Sequence, residues 1–345
     1  MTKARDIADN AGQGGSASNV IINGAMKISQ RATSVTGITS SGYKTVDRFR
    51  TSIGSAGTWT QTQNAVTDLA GFRYSLKMAC TTANTSLSAG SSLQMNTRLE
   101  GFDIQQFQKG TASAKKWAMS FYVKASKTGT YIVELFDNNN NRHVNKSYTV
   151  DTANTWEHKK IIFDGDTSSP FANTNGNCLI VQWFLAAGAN LTGGTLQESW
   201  GALTNANRCV GQVNLADSTS NTWEITGVQL EVGDKVSDFE HRSYDDELAR
   251  CQRYYEIADI GGDTYRISLN KGSTGASYYW AIDLRTTKRV KPTCTITQSF
   301  DDNLTLSVHP SATGLNHIGI KNATGGSTDT RALGELDAWT ADAEL

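Results

Sequence analysis

Residues 223–255 read WEITGVQLEVGDKVSDFEHRSYDDELARCQRYY and put a strand, a turn and a helix into one run. Trp223, Ile225, Val228 and Leu230 stand among polar neighbours as a half-buried strand requires, and Gly227 interrupts the alternation as a β-bulge would. Gly233 and Asp234 turn the chain. Ser243, followed three residues later by Asp246, is a helix start, and Leu248, Cys251 and Tyr255 recur at helical spacing before β-branched and aromatic residues resume. The stretch therefore predicts a short linking helix, residues 239–256, between two β regions.

On its N-terminal side, residues 19–238 carry alternating runs separated by turn signals, with no helix long enough for a βαβ unit. Trp117, Met119, Phe121 and Val123 alternate with Ala118, Ser120 and Tyr122; Tyr131, Val133 and Leu135 do so against Ile132, Glu134 and Phe136. Runs at 144–150, 156–163 and 179–185 continue the pattern. The predicted fold class is all-β, a jelly-roll-like β-sandwich followed by the short helix and a smaller C-terminal β-sandwich over 257–345. About 90 residues make a small core, which favours packing against further copies of the chain. Residues 1–18 begin KARDIAD after the first two positions and end in the Gly/Ser-rich AGQGGSAS, an arm with a linker.

Composition agrees. Only 3 Pro against 31 Gly, with abundant Thr, Ser and Asn, suits short strands and polar turns. A formal net charge of −1 offers no basic field for phosphate backbones, so no nucleic-acid partner is expected. Cys80, Cys178, Cys209, Cys251 and Cys294 are odd in number and widely spaced, which predicts reduced, mostly buried thiols. No signal-peptide pattern and no apolar run long enough to span a bilayer is visible, so synthesis in a cytosol and no membrane insertion are expected.

The runs ITGVQLEVG and FEHRSYDDELARCQRYY resemble the signature of a family of bacteriophage tail-fibre and virion structural proteins. NVIINGAMKISQRATS (19–34), TVDRF (45–49), KKWAMSFYVKASKTGTY (115–131) and SYTVDTANTWEHKKIIFDGD (147–166) resemble the same family. The resemblance spans residues 19–255; MTKARDIAD is similar to the start of fibre chains that attach to a virion by their N-terminus. It implies a virion protein of the tail, commonly a homotrimer, docked to other tail or baseplate proteins through the arm and adhering to host surface polysaccharide. The alternative it leaves open is a decoration or baseplate component that binds only other virion proteins. A capsule-degrading hydrolase is a third reading. No catalytic residue is carried over.

Sugar binding needs an outward aromatic ring for the C–H face of a sugar beside side chains that hold hydroxyls. On the strand 278–285, Tyr278, Trp280, Ile282 and Leu284 form an apolar face, leaving Tyr279, Asp283 and Arg285 outward as glycan-binding candidates. Trp200, in the long polar loop 188–207, is a further candidate or a plug for the sandwich end. Asp137, Asn139 and Asn141 in DNNNN offer calcium-type oxygens or simply a hairpin turn; no other cofactor is expected. Asp164 and Asp166 form a second oxygen-rich region. The stripe Leu248, Cys251 and Tyr255 would suit an oligomer interface, or would cover the sandwich edge. Glu134, Asp283 and Asp337 are the carboxylates a hydrolase could use, all in ordinary strand contexts.

Overall fold

The computed structural model describes residues 19–259, 265–270, 279–302, 305–322 and 331–345; the expected N-terminal arm, 1–18, and Tyr278 lie outside the described residues. In chain order the first unit contains β1 (Ser34–Ile38), β2 (Gly42–Tyr43), β3 (Arg50–Gly54), β4 (Thr58–Ala65), β5 (Tyr74–Thr82), β6 (Ser92–Glu100), β7 (Trp117–Ala125), β8 (Gly129–Asp137), β9 (Arg142–Val150), β10 (Glu157–Phe163), β11 (Asn177–Ala187), β12 (Gly201–Ala202) and β13 (Thr222–Val232). They form two antiparallel sheets, β1-β4-β5-β13-β7-β10 and β12-β9-β8-β11-β6-β3-β2. The alternation read from sequence is what closes them face to face. Inward residues such as Trp59, Trp117, Phe121 and Trp223 of the first sheet meet Leu93, Met95, Tyr131, Val133 and Trp183 of the second in one buried core. Phe121 and Trp183 meet edge-on across it, centroids 5.7 Å apart.

Gly227 is the bulge, and it has φ +61°. The register of β13 against β7 slips between Thr226 and Gln229, and β13 pairs with β5 only over Thr222–Ile225. Beyond the bulge one edge of β13 is therefore unpaired by strand among the described residues. Residues 19–24 take it: Val20 N–H donates to the Leu230 carbonyl, Val228 N–H donates to Gly24, and the Asn19 side chain bridges both positions by donating to Val228 O and accepting from Leu230 N–H. The segment after β13 locks this closure. Glu240 accepts from Asn19 N–H (2.6 Å), and the buried Arg242 guanidinium donates to the Ile21 and Asn19 carbonyls. Phe239 and His241 pack on Phe72, which lies with Tyr122 over Gly227, where a Cβ would come within 2.8 Å of Phe72.

The second unit takes Ser243–Leu345 with the short segment Ile28–Ala32, and the first runs to Arg242. The expected boundaries at 238 and 256 move for a physical reason: residues 237–242 bond back to β13 through Gln229 and Glu231, whereas the helix contributes to the second unit. That helix is Tyr244–Gln252, and Ser243 caps it by accepting from Asp246 N–H. Among the described residues β14 (Tyr255–Asp259), β15 (Tyr265–Asn270), β16 (Tyr279–Asp283), β17 (Thr293–Asp302), β18 (Leu306–Val308), β19 (His317–Asn322) and β20 (Arg331–Asp342) follow. β14, β15 and β17 pair with β20, and β16-β19-β18 form a second sheet. Ile318, Ile320, Leu306 and Leu284 pack with Leu336, Trp339 and Ala341 between them, a small sandwich. Cys80, Cys178, Cys209 and Cys251 are buried and Cys294 is half-buried, as expected from sequence.

Gly24 admits no side chain, because a Cβ there would stand 2.1 Å from the Val228 carbonyl oxygen, whereas nothing lies within 4 Å of a Cβ at Gly54. Gly24→Ala is expected to lower the unfolding free energy by about 3 kcal/mol, and Gly54→Ala by about 0.5 kcal/mol or less, measured by urea denaturation of both variants.

Candidate functional site

The strand β16 alternates as its sequence requires. Trp280 and Ile282 face the small core, and Tyr279, Asp283 and Arg285 are exposed, Tyr279 by 59%. Directly opposite residues of antiparallel strands share a face, so Lys321 stands beside Tyr279 and His317 beside Asp283, with Ser307 next to Lys321. His309 follows β18 and meets the Tyr279 ring edge-on, centroids 5.0 Å apart at 85°. Its Nδ1 accepts from Ala312 N–H (3.0 Å), which fixes the ring and leaves the proton on Nε2. Arg285 is anchored by its backbone, N–H donating to Glu256 Oε1. The outcome is an exposed aromatic ring held from one side, with cationic, anionic and hydroxyl groups on the same sheet face. Such a surface can stack on an apolar ring face and hydrogen-bond hydroxyls.

Trp200 is placed elsewhere and plays the second of its two expected parts. Its indole packs 5.5 Å from Trp117 and its Nε1 donates to the Asp164 carbonyl, so the half-buried ring plugs the first unit's sandwich end. The loop that carries it is a lid. Cys209 packs with Ile132 and Phe184 on the outer face of the seven-stranded sheet, against Leu191 and Leu196. Arg208 then grips Glu134 with two hydrogen bonds, 2.9 and 2.6 Å. Glu134 is fully buried; His143 Nδ1 lies 3.0 Å from it, while His143 Nε2 accepts from Thr204 N–H, and Gln182 donates to its other oxygen. Burial raises the Glu134 pKa, but the His143 and Arg208 bonds outweigh it and hold the carboxyl below its ordinary value.

Asp137, Asn139 and Asn141 form the β8–β9 turn. Asp137 accepts from the backbone N–H groups of Asn139 and Asn140, Asn141 takes φ +51°, and Asn139 accepts from Ala172 N–H. The second Asp137 oxygen is 2.6 Å from the Lys109 ammonium, which stands where a metal ion would. Asp166 lies there too, its carboxylate held by Arg142 at 2.8 and 3.0 Å. Burial raises the Asp166 pKa and the Arg142, Ser168 and Lys109 bonds lower it, with a net lowering. Among the described residues no group of three or more His, Cys, Asp or Glu is placed to hold a metal ion.

The helix stripe also needs correction. The helix ends at Gln252, so Tyr255 belongs to β14; Cys251 and Tyr255 are buried within the second unit, where the Arg31 guanidinium lies 3.6 Å over the Tyr255 ring. Residues already covered by their own chain cannot line a seam between copies, and only Leu248 is partly exposed. Sequence reasoning missed Lys109, Arg208 and His143. Lys109 and Arg208 find their partners far along the chain, and His143 finds Glu134 on the neighbouring strand of its own hairpin, a pairing that only the register of β8 and β9 sets.

No family model and no curated protein matches the chain. Among solved structures, a putative sugar binding protein from Bacteroides thetaiotaomicron is 12% identical, covers 63% of this chain and 100% of its own, with TM-score 0.35. The enzymatically active domain of bacteriophage CBA120 tailspike protein 4 is 10% identical over 62% of this chain and 21% of its own, TM-score 0.32. TmCBM61, solved in complex with β-1,4-galactotriose, is 9% identical over 63% of this chain and 99% of its own, TM-score 0.30. Likeness of this degree does not assign chemistry.

Glu134 and Asp166 both hold their carboxyls below the ordinary range, so the folded chain binds fewer protons than the unfolded one around pH 4. Their stabilisation is complete above the ordinary carboxylate pKa and is lost as pH falls below it; thermal unfolding followed from about pH 7 to about pH 3 should show a falling midpoint, with a shallower acid slope in Asp166→Asn. Trp200→Ala is expected to lower stability by about 2 kcal/mol or more, read from urea midpoints, with ligand binding by the folded fraction unchanged.

Proposed function

We propose that this protein is a virion adhesin of the tail-fibre kind, which binds host surface glycans without chemistry. The observation that carries the reading is the exposed Tyr279 ring, steadied by His309 and sharing its sheet face with Asp283, Arg285 and Lys321. A sugar's C–H face would lie on Tyr279, and its hydroxyls would meet the charged neighbours. The resemblance of ITGVQLEVG and FEHRSYDDELARCQRYY to tail-fibre proteins supports the virion assignment. Several copies per particle, a homotrimer in this reading, would multiply a weak single-site affinity through effective concentration.

A hydrolase would need two carboxylates facing a substrate across a cleft. Glu134 and Asp166 of the first unit are buried and each is clamped by an arginine, which takes these two carboxylates away from any substrate. That favours adhesion over hydrolysis.

Binding of the purified full-length protein to host cells and to their extracted polysaccharide should saturate, and Tyr279→Ala should weaken it about tenfold at unchanged stability, since one stacked ring contributes on the order of 1 kcal/mol. Undiminished binding by Tyr279→Ala would move the glycan site off this face. Binding to purified particles alone, with none to cells, would make the protein a decoration or baseplate part; new reducing ends in the polysaccharide would make it a hydrolase.

A further inference from the structure

Lys109 follows the 3-10 turn Gly101–Phe107 in the first unit, and its side chain is fully buried. Its ammonium lies 2.6 Å from Asp137 Oδ2 and 3.1 Å from Asp166 Oδ2, and donates to the carbonyls of Ser168 (3.0 Å) and Ser169 (2.6 Å). The rings of Phe171 and Trp200 stand 5.1 and 5.5 Å away. Four oxygens therefore crowd a group with three hydrogens to give. The shell suits a sphere of positive charge better than three directed donors. Its ligand set, two carboxylates and two backbone carbonyls, is also the all-oxygen set that hard cations take.

We propose that Asp137, Asp166 and the Ser168 and Ser169 carbonyls form a calcium-class cation site whose occupant is the chain's own Lys109 ammonium. The charges close on this reading. Two carboxylates face Lys109 and Arg142, and the Arg142 guanidinium is spent on Asp166. Without the ammonium one carboxylate charge stays buried and unmatched, in a space the lysine stem has vacated. A calcium ion needs oxygens at about 2.3–2.6 Å, a contraction of roughly half an ångström from the distances around Nζ, within the reach of a turn and a loop. Magnesium, which demands about 2.1 Å and near-octahedral geometry, fits less well. The internal cation ties the β8–β9 turn, the loop through Ser168 and Ser169 and the Trp200 plug together with no need of a metal supply.

The test uses thermal unfolding of the full-length chain in EDTA, in millimolar calcium and in millimolar magnesium. Wild type should unfold at one temperature in all three. Lys109→Ala should unfold lower in EDTA and regain about 3 °C or more in calcium, with less in magnesium. The proposal is overturned if EDTA lowers the wild-type midpoint, or if folded Lys109→Ala gains nothing from calcium. Should Lys109→Ala not fold in any condition, Lys109→Met goes through the same three solutions: a midpoint higher in calcium than in EDTA supports the site, and equal midpoints overturn it.

Discussion

The bulge at Gly227 is the constraint on which the first unit depends. A left-handed residue in the middle of the longest pairing of the six-stranded sheet ends the contact of β13 with β5 and exposes a row of backbone donors and acceptors. Buried main-chain groups without partners are costly, so the edge has to be filled. Residues 19–24 fill it, and Glu240 and Arg242 hold them from the other end of the domain. The runs NVIINGAM and ITGVQLEVG with FEHR are thus the two halves of one closure. Asn19, Gly24, Gly227, Phe239, Glu240 and Arg242 each have a task in it, and all of those tasks are structural.

Buried charge is the second theme. Lys109 with Asp137 and Asp166, Arg208 with Glu134, and Lys288 with Glu256 (2.5 Å) are each removed from water. Desolvation makes such pairs poor sources of net stability compared with apolar packing, yet removal of one partner leaves an uncompensated charge. Their value is in position. Each fastens irregular backbone to a strand: the Ser168–Ser169 loop to the β8 end, the Arg208 lid to the sheet face, and the Gln252 and Thr286 carbonyls to β14 through the Lys288 ammonium. Loops fixed by charge need little hydrophobic area of their own, which suits a chain rich in Asn, Ser and Thr.

Aromatic residues divide by face. Trp59, Trp117, Trp183 and Trp223 are fully buried and fill the sandwich, whereas Tyr279 stands out from the small sheet. His158 lies between these cases, stacked on Tyr122 at 4.3 Å on the outer face of the first sheet. An exposed ring held by a neighbour has less rotamer freedom left to lose than a free side chain, and His309 holds Tyr279 in that way.

The sequence by itself determined the strands over 117–163, 179–185 and 223–230, the helix start at Ser243, the bulge at Gly227 and the outward set Tyr279, Asp283 and Arg285, because each rests on a period or a turn written within a few neighbouring residues. Only the tertiary structure decided that Trp200 plugs a sandwich end, that Tyr255 is buried beneath Arg31, and that a lysine sits where DNNNN suggested calcium. Those outcomes depend on partners brought together from distant parts of the chain. Local pattern says which way a side chain points; the folded neighbourhood alone fixes what it meets there.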